Sequence, residues 1–182
     1  MNLAEAERLI VRGVVGRAGG VWADLGAGSG TFTRALASLL GPGSTVHAVD
    51  RDVRALSELV GDEPRSAGAN VVPLEADFRE PLPVGDLDGI VMANSLHFVE
   101  RGSQGEVLAR VAGHLKGGGV LILVEYDQTQ GSAWVPFPVP PGRFADIAVS
   151  AELSVPTEIG RRRSRYGPTD IYAAVASKVG LH

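Results

Sequence analysis

The chain of 182 residues contains no cysteine. That single absence removes disulfides, thiolate metal sites and cysteine nucleophiles together. Lysine is nearly missing as well, with two against fifteen arginines, and the net charge is −4. Proteins that live on polyanions are usually basic, so the balance argues against nucleic acid as a partner. Long apolar runs are absent: "GVLILV" at 119–124 is far short of the roughly 20 residues that span a bilayer. The opening "MNLAEAERLIVRG" has no basic segment ahead of an apolar block and does not read as a signal peptide. The expectation is a cytoplasmic enzyme with no membrane association. Apolar residues at 45% and charged residues at 21% are enough for a packed core, and the length suits one domain over 1–182.

Within that domain, apolar periodicity alternates between two kinds of segment. Residues 3–17 read as a helix, with Ala6, Ile10 and Val14 on one face. Short apolar runs at 21–25, 44–50, 70–77, 87–94 and 118–126 read as strands, and 31–40, 53–60 and 105–115 as the helices between them. Strands alternating with helices predict an α/β fold, a parallel sheet with helices on both faces. After it, "PPGRFADIAVSAEL" at 140–153 reads as a helix with Pro141 in its first turn. "TEIGRRRSRYGPTDIYAAVAS" at 157–177 reads as two strands joined through Gly167–Pro168, an antiparallel hairpin at the sheet edge. The parts are an N-terminal helix (1–19), a ligand-binding core (20–126), a loop with four prolines (127–142) and a helix with a closing hairpin (143–182).

Three strand ends carry chemistry. In "VWADLGAGSGTF" the first strand ends at Asp24, and Gly26, Gly28 and Gly30 precede a helix. Glycines there let the backbone approach a ligand, and a helix start offers free N–H groups. The spacing is not the dinucleotide G-x-G-x-x-G, because Thr31 stands where the third glycine belongs. The bland alternative is a tight turn without a ligand. Asp50 closes the second strand in "VHAVDRD", where a carboxylate can accept both hydroxyls of a ribose; this fits NAD and any adenosyl ligand equally. Asp77 and Phe78 follow the third strand, an acceptor beside a ring, suited to an adenine or simply to a turn with one core aromatic.

Taken in order, "VWADLGAGSGTF", "VHAVDRD", "EADF", "LDGIVMANSLHFV" and "LKGGGVLILVEYD" resemble the class I S-adenosylmethionine-dependent methyltransferases over roughly residues 20–127. The C-terminal hairpin fits that family's reversed final strand. The resemblance implies a Rossmann-like, seven-stranded, mostly parallel sheet and S-adenosylmethionine as cofactor. It implies that Asp24, Gly26, Ala27 and Gly28 line the methionine portion and that Asp50 binds the ribose. Arg51, where the family usually has an apolar residue, would lie along the adenine and can stack on it. Asp77 would meet the adenine amine with Phe78 beside it, and Asn94 and Ser95 would lie near the transferred methyl.

The reaction implied is an in-line displacement on a small-molecule acceptor, governed by positioning. A general base is needed where the acceptor is a hydroxyl. His97 follows the fourth strand and is the candidate base; its bland reading is a hydrogen-bonded loop histidine. Glu125 and Tyr126 end the fifth strand and face the same end of the sheet. The loop 127–142 is expected to cap an apolar or planar acceptor with Trp134 and Phe137, together with Tyr126 and the N-terminal helix. No metal site is expected, and the chain would act as a monomer or homodimer. The competing classes are a non-catalytic domain binding S-adenosylmethionine or S-adenosylhomocysteine, an RNA methyltransferase suggested by Arg161, Arg162, Arg163 and Arg165, and an NAD-dependent oxidoreductase. Consecutive arginines on a strand alternate faces, which favours solvated edge charge over a nucleic-acid patch.

Overall fold

The computed structural model describes residues 1–61, 68–165 and 167–180. Seven strands form one sheet: β1 (Val21–Leu25), β2 (Thr45–Asp50), β3 (Asn70–Glu75), β4 (Leu87–Ala93), β5 (Leu115–Tyr126), β6 (Thr157–Arg163) and β7 (Asp170–Ser177). Their order is β3-β2-β1-β4-β5-β7-β6. The first five run parallel, while β7 pairs antiparallel with both β5 and β6. The expected mostly parallel sheet with a C-terminal antiparallel hairpin is the sheet observed. The chain reverses direction across the sheet between β1 and β4, and the carboxyl ends of these two strands therefore open a crevice.

Helices α1 (Leu3–Val14), α2 (Thr31–Leu40), α3 (Val53–Gly61), α4 (Gln104–Gly113) and α5 (Pro141–Ser150) cover the sheet. Ile10 and Val14 of α1 pack with Phe32 and Leu36 of α2, Trp22, Val91 and Ile122. Leu108 and Val111 of α4 pack with Phe144 and Ile147 of α5, Ile90 and Tyr172 in a second cluster. These two clusters account for the continuous apolar runs of the strands: residues buried from both sides need no alternation. Pro73 sits in β3, which pairs only with β2, so its missing N–H falls on an open edge.

Several boundaries differ from the sequence reading: α1 ends at Val14 and not at 17, and β3 at Glu75 and not at 77. Helix α4 stops at Gly113, and Leu115 already pairs with Leu87 at the start of β5. Val111 and Leu115 are both buried, which imitates helical spacing although they belong to different elements. The segment 127–140 is not an open flap. Phe137 N–H donates to the His97 carbonyl at 3.1 Å, and Gln104 Nε2 donates to the Phe137 carbonyl at 2.8 Å. The Tyr172 hydroxyl donates to the Val139 carbonyl at 2.6 Å. Among the described residues, no helix is long and apolar enough to cross a membrane.

Candidate active site

A cavity of about 470 Å³ opens at the carboxyl ends of β1, β2 and β4, bounded by Asp24, the glycine loop, Asp50, Arg51, Asp77, Phe78, Asn94 and Ser95. The loop is fixed from both sides. Gly26 and Ala27 N–H groups donate to the Val49 carbonyl at 2.8 and 3.0 Å, which folds the chain back over β2. Gly26 has φ +82°, and a Cβ there would stand 2.5 Å from Ser95 Cβ. Gly28 has φ +51° and open space beside it; its N–H donates to Asp50 Oδ2 at 2.8 Å. Asp50 Oδ1 accepts from the Asp52 N–H at 2.9 Å. Asp50 thus spends one acceptor site of Oδ2 on the glycine loop and one of Oδ1 on the turn after β2, and each oxygen keeps capacity for a further donor.

Asp24 is 1% exposed. Its Oδ2 accepts from the Thr33 hydroxyl at 2.7 Å, while its buried Oδ1 has no partner among the described residues. Burial, with the nearby Asp50 charge adding to it against the Thr33 bond, pushes the carboxyl up to about 6. Asn94, three residues past the Val91 that pairs with Asp24, has φ +53°. Its Oδ1 is also buried and unpartnered. Both orphaned atoms are acceptors on residues of the cavity wall, so the fitting ligand brings hydrogen-bond donors. Ser95 lies on the wall as well, but its hydroxyl is donated to the Leu25 carbonyl at 2.8 Å and ties β4 to β1.

Beside Asp77 and Phe78 stands a residue the sequence reading missed. Arg79 grips Asp77 with Nε at 2.9 and 3.0 Å and Nη2 at 2.5 Å; its own N–H adds a bond at 3.0 Å. The guanidinium holds the Asp77 carboxyl below the usual carboxylate range. An adenine amine at Asp77 must therefore compete with a charge-assisted pair. The signal was in "DFR", a carboxylate two residues before an arginine, close enough to chelate.

His97 reaches the right end of the sheet but not the cavity wall. Its ring is 2% exposed; Nδ1 lies 2.6 Å from Glu125 Oε2, and its N–H donates to Glu125 Oε1 at 3.2 Å. A carboxylate only accepts, so the pairing puts the imidazole proton on Nδ1 and leaves Nε2 as the basic nitrogen. Phe98, 58% exposed and on the wall, has its ring centroid 4.4 Å from that of His97.

The three expected acceptor residues are not on the wall either. Tyr126 is half-buried, its ring centroid 6.2 Å from that of His97. Trp134 is 85% exposed. Its loop turns from Ser132 to Val135 and buries Val135 and Val139 instead. Phe137 is half-buried, with both main-chain polar groups engaged by His97 and Gln104. In their place the wall has Met1, Phe98 and Val99.

Known folds and sequences agree with this geometry. The chain superposes on 1,6-didemethyltoxoflavin-N1-methyltransferase from Burkholderia thailandensis, solved with S-adenosylhomocysteine, at TM-score 0.74 and 19% identity, covering 98% of this chain and 78% of that one. It superposes on magnesium protoporphyrin IX methyltransferase from Synechocystis PCC 6803, solved with S-adenosylmethionine, at TM-score 0.73 and 17% identity, covering 95% and 78%. The fold is the one these methyltransferases share. The family model described as a methyltransferase domain matches residues 23–121, and the chain belongs to that family. It is also 39% identical over 115 residues to mouse acetylserotonin O-methyltransferase, a match covering 60% of this chain and 29% of that protein's length.

Proposed function

We propose that this enzyme methylates a hydroxyl group of a small molecule, with His97 as general base and Glu125 as the group that orients it. The observation that carries the reading is the buried His97–Glu125 pair at 2.6 Å, standing beside the cavity at the ends of β4 and β5. A hydroxyl acceptor must lose a proton as its oxygen bonds to carbon, and a base with one nitrogen locked and the other free serves that need. When bound, S-adenosylmethionine supplies a methyl group already activated on a sulfonium.

The chain's own residues do the positioning. The orphaned oxygens of Asp24 and Asn94 would take N–H donors of the methionine ammonium. Asp50 would accept from the ribose hydroxyls with its remaining lone pairs, and Phe78 would pack on the base. Phe98 would rotate outward to bring His97 Nε2 to the acceptor. The mouse relative is an O-methyltransferase by name, which supports oxygen as the accepting atom. The test is a panel containing N-acetylserotonin, other phenols and matched aryl amines, incubated with methyl-labelled S-adenosylmethionine. Label recovered on oxygen is the expected outcome; label confined to nitrogen refutes the reading.

A further inference from the structure

The carboxylate of Asp77 is fully engaged within its own turn. Its Oδ1 accepts from the Arg79 main-chain N–H at 3.0 Å and from Arg79 Nε at 2.9 Å. Its Oδ2 accepts from the same Nε at 3.0 Å and from Nη2 at 2.5 Å. A carboxylate offers about four lone-pair sites, and Arg79 alone directs donors at all of them. The segment that carries the pair is itself fixed. Ala76 N–H donates to the Asp50 carbonyl at 3.1 Å and Glu80 N–H to the Asp77 carbonyl at 2.9 Å, while Arg110 of α4 donates Nη1 to the Arg79 carbonyl.

The order of the strands says where the purine of a bound cofactor falls. In the reading above, the methionine ammonium meets Asp24 in β1 and Asn94 after β4, and the ribose meets Asp50 at the end of β2. The next strand outward is β3. The base of the same ligand therefore falls at the carboxyl end of β3, among Ala76, Asp77, Phe78 and Arg79, all on the cavity wall. Phe78 offers a ring and Arg51, also on the wall, a guanidinium; both stack on a base without regard to its edge substituents. Of the wall carboxylates Asp24, Asp50 and Asp77, the one at this end is the one that Arg79 closes.

We infer that Arg79 makes the cofactor site indifferent to the purine 6-amino group, so that the ligand class extends to S-nucleosyl ligands whose purine carries no amine. The inference rests on the cofactor placement proposed above. An amine that reaches Asp77 bonds to a charged acceptor only by displacing a guanidinium donor from it, and exchanging one charge-assisted bond for another leaves little net gain. Stacking on Phe78 and Arg51, and the contact of Asp50 with the ribose hydroxyls, act equally on any purine ribonucleoside. Arg79 is thus a specificity-determining residue, and it acts by holding an acceptor closed.

The probes are S-adenosylhomocysteine and its analogue with hydrogen in place of the 6-amino group, titrated by calorimetry into the full chain. In wild type the two Kd values should agree within about twofold. In Arg79→Ala the freed carboxylate should read the amine, and the analogue should bind about tenfold more weakly than S-adenosylhomocysteine. Arg79→Met, which keeps the apolar stem, should give the same ratio. Asp77→Ala combined with Arg79→Ala should return the ratio to within about twofold, a result that general loosening of the segment does not produce. A tenfold preference for the amine in wild type overturns the inference, and so does a ratio that stays near one in both single Arg79 variants. If S-adenosylhomocysteine does not bind, or binds equally well to Asp50→Ala, the cofactor placement fails and the inference with it. That failure shows in Asp50→Ala, whereas a failure of the inference alone shows in the ratio. None of these readouts needs turnover, so they stand apart from a failure of His97 as base, which appears only in product analysis.

Discussion

Asp24→Asn should remove a pH-dependent stability cost from the ligand-free protein while weakening its grip on the cofactor. Asp24 is fully buried, with one oxygen on Thr33 and the other unpartnered. Its carboxyl rises from 3.8 to about 6, roughly 2 units or about 3 kcal/mol of burial cost for the ionised form. The raised folded value means that the native state binds the proton more tightly than the unfolded chain between these two values. Stability from this group is therefore lost as pH rises from 3.8 towards 6, and the full cost stands above pH 6. Asparagine removes that titration, although its amide carries a burial cost of its own of about 1–3 kcal/mol. That cost is the same at every pH, so the pH dependence is the clean quantity. Urea unfolding of both proteins should give a variant-minus-wild-type stability about 2.5 kcal/mol more favourable at pH 8 than at pH 4. In calorimetry at pH 8 the same variant should bind S-adenosylmethionine at least about tenfold more weakly, through loss of a charge-assisted bond. A stability difference that is flat across pH would refute the reasoning, as would unchanged cofactor affinity.

Two other substitutions probe opposite ends of the site. Asp50→Ala removes the ribose acceptor and the anchor of the Gly28 N–H; affinity for S-adenosylmethionine should fall about 100-fold, the worth of one or two bonds to a charged group, with far-UV circular dichroism unchanged. Unaltered affinity would place the ribose elsewhere. Trp134→Ala should change stability by less than about 0.5 kcal/mol and leave acceptor and cofactor affinity alone, because the ring is 85% exposed and off the wall; a large loss of acceptor affinity would show that the loop closes over the cavity.

Much of the fold was legible because each strand is a short apolar run bounded by glycine or a polar turn, and the signal is local. The strand ends were legible for the same reason: Asp24, Asp50, Asp77 and Asn94 each close or follow a strand, and parallel strands bring their carboxyl ends together. Side-chain direction was not legible. The His97–Glu125 bond crosses from β5 to the turn after β4, 28 residues apart in sequence, and nothing in "NSLHF" says that the ring turns inward. Trp134 looked like a cap by composition, yet Val135 and Val139 satisfy the loop's need for burial and leave the indole outside. Arg79 reads in the sequence only as a cation after the Asp77–Phe78 pair; that its guanidinium folds back onto the carboxylate is a matter of side-chain direction. The Glu5–Arg165 ion pair, 160 residues apart in sequence, is likewise carried by no local pattern.

One comparison tests the role of His97 most directly. Wild type and His97→Gln are incubated with methyl-labelled S-adenosylmethionine and the hydroxyl panel, and the labelled product is quantified alongside calorimetric cofactor affinity. A buried base that takes the acceptor proton predicts loss of oxygen methylation by about 100-fold or more, with cofactor affinity within about twofold, since the ring is off the cavity wall. Oxygen methylation that persists in the variant at the wild-type rate would contradict it.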